Sequence, residues 1–234
     1  MGRQPIPRHM YGRPMSIYTA GDPAPRISEL IGKCASAATG VETQLSLCMG
    51  SMLGVENAAS VAVYLTLRNA AARREALKAA AANSLTDEEQ EIFRAHMVIY
   101  ERLDSNRNDI VHGMWGTIYG EPDASLWCST KHYATWHITD YHKSAVGNLT
   151  GEWRQEQFQK CFYWPHSDIE RIIGELISLA RCLTQFHSYL RYKGQIQGDA
   201  ALAQLGREPM VQTALAEMRA AAEMKQQAQS EKRA

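Results

Sequence analysis

The chain has 234 residues, enough for one large domain or two small ones. Acids and bases balance at 25 each, which argues against a protein that holds nucleic acid by bulk electrostatics, while leaving room for a small site that grips one or two phosphates. Five cysteines (Cys34, Cys48, Cys128, Cys161 and Cys182) contain no C-x-x-C pair; they suggest neither a disulfide framework nor a zinc ribbon and read as core thiols in a reducing compartment.

Residues 1–25 carry Pro5, Pro7, Pro14, Pro23 and Pro25 and read as an extended arm, mobile or laid across another surface such as a second subunit. The start of the chain has arginines but no apolar core of a signal peptide. No apolar run approaches membrane-spanning length. A soluble cytoplasmic protein with no membrane partner is the expectation.

From Ile27 the period becomes helical. Ile27, Leu30, Ile31, Cys34, Ala38, Val41, Leu45, Cys48 and Met52 step by three and four, as one buried helix face must. Gly54 is the expected stop. A second helix is predicted over about residues 56–82, basic in its distal half through Arg68, Arg73, Arg74 and Lys78. This run could line an RNA groove, although a solvated face is its commoner meaning. Thr86 and Glu89 form a capping-box pattern. A third helix follows with Ile92, Phe93, Met97, Tyr100 and Leu103 on one stripe, which continues through position 107 to Ile110.

After Gly113 the period changes. Met114–Tyr119, Ser125–Ser129 and Ala134–Asp140 are short, aromatic and β-branched and predict a small antiparallel meander with a turn at 120–123. Residues 141–165 read as irregular. Ser167-Asp168-Ile169-Glu170 is a second capping box, opening a long helix that ends near Lys193-Gly194. The tail from Gln195 predicts short, loosely packed helices whose last ten residues fray. The domain reading is therefore an arm at 1–25, a helical domain at 26–194 with a β insert at about 114–140, and a helical tail at 195–234.

The segment Arg107-Asn108-Asp109-Ile110-Val111-His112-Gly113 carries the most direct chemistry. Arginine is a permanent cation that forks onto phosphate, and histidine moves a proton near neutral pH. Arg107 falls on the apolar stripe, four after Leu103, where a charge needs a partner: a carboxylate, another chain or a phosphate. Asn108 and His112 are four apart and share a helix face, so the amide could orient the imidazole. Five residues on a straight helix rotate by about 140°, so Arg107 and His112 converge only if the helix breaks before Asn106, the arginine reaches round, or two subunits build one site.

Other candidates are weaker. His132, His137 and His142 recur with Asp140 between them, but strand periodicity would split them between faces, so no metal site is assigned. Trp115, Trp127, Trp136, Trp153 and Trp164 could stack bases, but core packing explains them more cheaply. No phosphate-binding glycine loop and no nucleophile-elbow serine is present.

The R-N-D-I-V-H segment resembles the R-x4-6-H motif of the HEPN superfamily, including the polar residue after the arginine. The resemblance implies a mainly α, HEPN-like bundle of about four long helices with a small antiparallel β-meander insert, forming a homodimer with facing motifs. It implies a metal-independent endoribonuclease without a cofactor, acting on RNA in toxin–antitoxin, phage-defence or RNA-processing systems with an antitoxin or other protein partner. The site residues it implies are Arg107 on the phosphate, His112 as general acid or base, Asn108 orienting His112, and Asp109 orienting either. Other members of the superfamily have lost activity, and the alternative reading is a non-catalytic interaction or dimerisation module in which the same residues form a structural pair.

Overall fold

A computed structural model describes residues 3–7, 10, 13–17, 25–55, 57–147 and 150–231. Among them the elements run β1 (Gln4–Pro5), β2 (Met15–Ile17), α1 (Pro25–Leu53), α2 (Asn57–Thr66), α3 (Ala70–Ser84), α4 (Asp87–His112), β3 (Gly113–Ile118), β4 (Ala124–Ser129), α5 (Thr130–Ala145), α6 (Gly151–Gln159), β5 (Phe162–Pro165), α7 (His166–Arg191), α8 (Ile196–Leu205) and α9 (Pro209–Glu231). The protein is mainly helical with a five-stranded antiparallel sheet of order β1-β5-β4-β3-β2. The chain divides into two compact units, residues 1–36 with 104–175, and residues 37–103 with 176–234.

The first unit holds the sheet. The described parts of the arm supply both edge strands: Gln4 and Pro5 pair with Tyr163 and Phe162, and Met15–Ile17 pair with Ile118–Gly116. These two pieces thus lie on the sheet of their own chain. A Cβ on Gly116 would sit 2.0 Å from the Ser16 carbonyl oxygen, so only glycine lets β2 approach β3 there. Side chains alternate across the sheet. Ile118, Leu126 and Cys128 face a cluster with Ile6, Met10, Trp136 and Cys161, while Trp115 and Trp164 pack edge to face, centroids 5.8 Å apart.

Ala134–Asp140 is helical, not the third strand of a meander. The Ser129 side chain accepts from the His132 N–H, capping α5. Tyr133 and Trp136 are three apart, so one helical face reaches the sheet cluster, while Ile138 and Tyr141 are exposed. The spacing that suggested alternation fits a helical stripe as well. The third long strand pairing comes instead from β5, with α6 before it, inside the segment expected to be irregular.

The second unit is helical. The helix expected over 56–82 is two, α2 and α3, because the Asn69 side chain accepts from the Ala71 N–H and opens a new helix. Arg73 donates to the Leu67 carbonyl at 2.7 Å and to Glu42 at 3.0 Å. Tyr64 and Tyr100 also donate to Glu42, so one cation of the basic run closes an internal network. Phe93 stacks on Phe186. The Thr86–Glu89 capping box forms in both directions. In the tail α8 is short and α9 runs to Glu231; Leu205, Val211, Ala214 and Leu215 are buried, and residues 232–234, part of the stretch expected to fray, lie outside the described residues.

Among the described residues no single helix is long and apolar enough to cross a membrane.

Candidate functional site

The motif closes α4. A helix end leaves its last carbonyls without intrahelical donors, and here side chains supply them. The Trp127 indole donates to the Asp109 carbonyl at 2.8 Å, the Trp115 indole to the Ile110 carbonyl at 3.0 Å, and the Thr130 hydroxyl to the His112 carbonyl. A Cβ on Gly113 would lie 1.6 Å from Trp127 Nε1. Gly113 is therefore what admits the indole to the helix end.

The helix is unbroken from Asp87 to His112, so of the routes to convergence the break before Asn106 does not occur. Arg107 and His112 are then about 140° apart around one axis. Arg107 is half-buried. Its Nη1 donates to Asn108 Oδ1 at 2.7 Å, and its buried Nε has no hydrogen-bond partner among the described residues. Burial pushes the Cys34 thiol up to about 11, with the nearby Arg107 cation pulling the other way. Asn108 is exposed and turned to Arg107, not to the imidazole of His112. The His112 side chain is exposed at the end of the helix.

Asp109 is joined to neither of them. Its carboxylate accepts from Arg3 at 2.9 Å. Burial pushes the Asp109 carboxyl up from its ordinary range, and the Arg3 cation opposes that. The Arg3 guanidinium lies 4.6 Å from the Trp127 ring centroid and 5.0 Å from that of Phe162, a cation–π arrangement. Asp109 and His112 are three apart and so neighbour each other on the helix surface. The structure thus gathers Arg107 with Asn108 and, separately, Asp109 with Arg3. Arg3, Trp127 and Thr130 are the residues sequence reasoning did not attach to the motif; an arginine in a proline-rich arm carries no local signal of its destination.

No family model, no curated protein and no solved structure matches the chain.

The other candidate groups are engaged structurally. His132 and His137 lie on α5, with His132 Nε2 3.3 Å from the Gln157 carbonyl oxygen and the His137 ring stacked on Tyr133. Among the described residues no group of three or more His, Cys, Asp or Glu side chains could hold a metal ion. Trp115, Trp127, Trp136 and Trp164 are buried. Trp153 donates to Asp140 and lies under Lys143. Ser125 and His166 touch at 2.9 Å, but Ser125 is buried. The His166 N–H donates to the Asp123 carbonyl, tying the turn before β4 to the start of α7.

Proposed function

We propose that the chain is a metal-independent endoribonuclease of HEPN type, its fold a HEPN-like bundle carrying a small sheet and its site assembled from two copies of the chain. One observation carries this reading: an unbroken helix ends with a half-buried arginine whose buried Nε is unpartnered and, on a different face, an exposed histidine. A buried guanidinium N–H without an acceptor is costly, and an incoming phosphate offers that acceptor. With the helix unbroken, convergence is left to an arginine that reaches round or to a second copy, and a two-fold arrangement would bring Arg107 of one copy to His112 of the other.

In such a site Arg107 holds the phosphate and stabilises charge gathering on its oxygens. His112 takes the proton of the ribose 2′-hydroxyl or gives one to the leaving 5′-oxygen. The 2′-oxygen bonds to phosphorus as the bond to the 5′-oxygen breaks. The products are a 2′,3′-cyclic phosphate and a 5′-hydroxyl. The nucleophile belongs to the substrate, so the reaction needs no metal-activated water and DNA resists it. The local positive charge suits a protein of zero net charge, and an antitoxin or other partner would act by covering the same helix end.

A second reading, a non-catalytic dimerisation module, is favoured by the Asn108 amide taking one Arg107 donor within the chain. RNA cleavage in EDTA separates the two. The enzyme reading expects cleavage by wild type and its loss, by at least about a hundredfold, in His112→Ala and in Arg107→Ala. Equal activity in all three, or none in wild type, would sink it.

A further inference from the structure

Arg3 is placed where a substrate-binding cation would be needed. Asp109 accepts from its Nη1, and the ring centroids of Trp127 and Phe162 lie 4.6 and 5.0 Å from its central carbon. Trp127 is itself fixed by its bond to the Asp109 carbonyl, so the guanidinium is oriented by the same residue through both its side chain and its backbone. Asp109 and His112 are helical neighbours at i and i+3, which brings Arg3 to the imidazole's side of α4, unlike Arg107. The Arg3 side chain keeps 39% of its surface exposed. A guanidinium has five N–H donors, and the bond from Nη1 to Asp109 leaves others for a second anion.

We infer that Arg3 binds an RNA phosphate flanking the scissile one, on the His112 side of the site. This rests on the ribonuclease reading and adds to it a substrate-positioning residue: the chain takes a strand of several nucleotides, and Arg3 helps to set its register. Arg3 takes no part in proton transfer.

The test compares wild type, Arg3→Gln, Arg3→Lys and His112→Ala on two ligands. The first is a cleavable ribo-oligonucleotide, assayed for kcat and KM beside a ribodinucleotide that has only the scissile phosphate. The second is an uncleavable oligonucleotide with deoxyribose throughout, its binding followed by fluorescence anisotropy against salt concentration. Arg3→Gln should raise KM several-fold on the oligonucleotide with kcat retained, and leave the dinucleotide unaffected. It should lower the slope of log affinity against log salt by about 0.7, the loss of one phosphate contact on a single strand. Arg3→Lys, which keeps the cation, should keep the slope. A purely structural loss of arm docking would alter thermal stability without that change in slope. If wild type cleaves, His112→Ala does not, and Arg3→Gln keeps the wild-type slope and KM, this inference falls and the ribonuclease reading stands. If wild type neither cleaves nor binds, both fall.

Discussion

The two ends of α4 use their polar residues in opposite ways. At the start, Glu89 is buried and fully engaged: it accepts from the Thr86 N–H, pairs with Lys193 at 2.7 Å and accepts from the Tyr189 hydroxyl. Side chain and backbone there both serve the fold. At the other end Trp127, Trp115 and Thr130 serve the backbone, and the side chains pair only in part, Asn108 with Arg107 and Asp109 with Arg3. Arg107 keeps an unpartnered buried N–H, and His112 remains exposed. A helix end whose carbonyls are satisfied by neighbours leaves the Arg107 Nε and the His112 side chain outside the cap.

That contrast can be broken from either end. The largest effect is expected for Gly113→Ala, because the added Cβ meets the rigid Trp127 indole at 1.6 Å. Displacing the indole should destabilise by about 3 kcal/mol, read as a fall in Tm of roughly 6–12 °C in a chain of this size. A wild-type Tm would show that the indole does not cap the helix.

Next comes Glu89→Ala, which strands the Lys193 ammonium, the Tyr189 hydroxyl and the Thr86 N–H. The expected loss is about 2–3 kcal/mol by denaturant titration. Burial works to raise the Glu89 pKa, but the Lys193, Tyr189 and Thr86 bonds hold it below the ordinary carboxylate value. A depressed folded pKa contributes stability above the unfolded value of about 4.3, and that contribution is lost as pH falls through the folded value. Glu89→Gln should therefore flatten the acid limb of the stability curve below about pH 4.5. An unchanged limb would contradict the role given to this carboxylate.

The smallest effect sharpens the comparison. Trp127→Phe keeps a ring beside Arg3 but removes the donor to the Asp109 carbonyl. It should cost about 1 kcal/mol in equilibrium unfolding, and amide exchange in the last turn of α4 should quicken. Exchange unchanged in that turn would assign the cap to Trp115 and Thr130 alone.

The helices were legible in the sequence wherever one apolar face repeats. The stripe from Ile27 to Met52 and the Thr86–Glu89 box both lie as the pattern requires. Legibility failed where one spacing serves two periods, as with Tyr133 and Trp136, and where a single side chain decides, as with Asn69 between α2 and α3. The five-stranded sheet was half visible: β3 and β4 follow from alternation, but β1 and β2 are pieces of two and three residues that become strands only because β5 and β3 offer them edges. Within the site, the position of Arg107 on the buried stripe was readable from Leu103 and Ile110. The turning of Asn108 toward Arg107, and the arrival of Arg3 at Asp109 from 106 residues away, depend on tertiary placement that no local pattern encodes.

The proposed site is shared between two copies of the chain, and complementation of two inactive variants is its sharpest test. Arg107→Ala and His112→Ala chains, each inactive alone, are unfolded together and refolded as a mixture. A shared site predicts about a quarter of wild-type cleavage, since half the dimers are mixed and each mixed dimer keeps one intact Arg107–His112 pair. A mixture as inactive as its components would contradict the account.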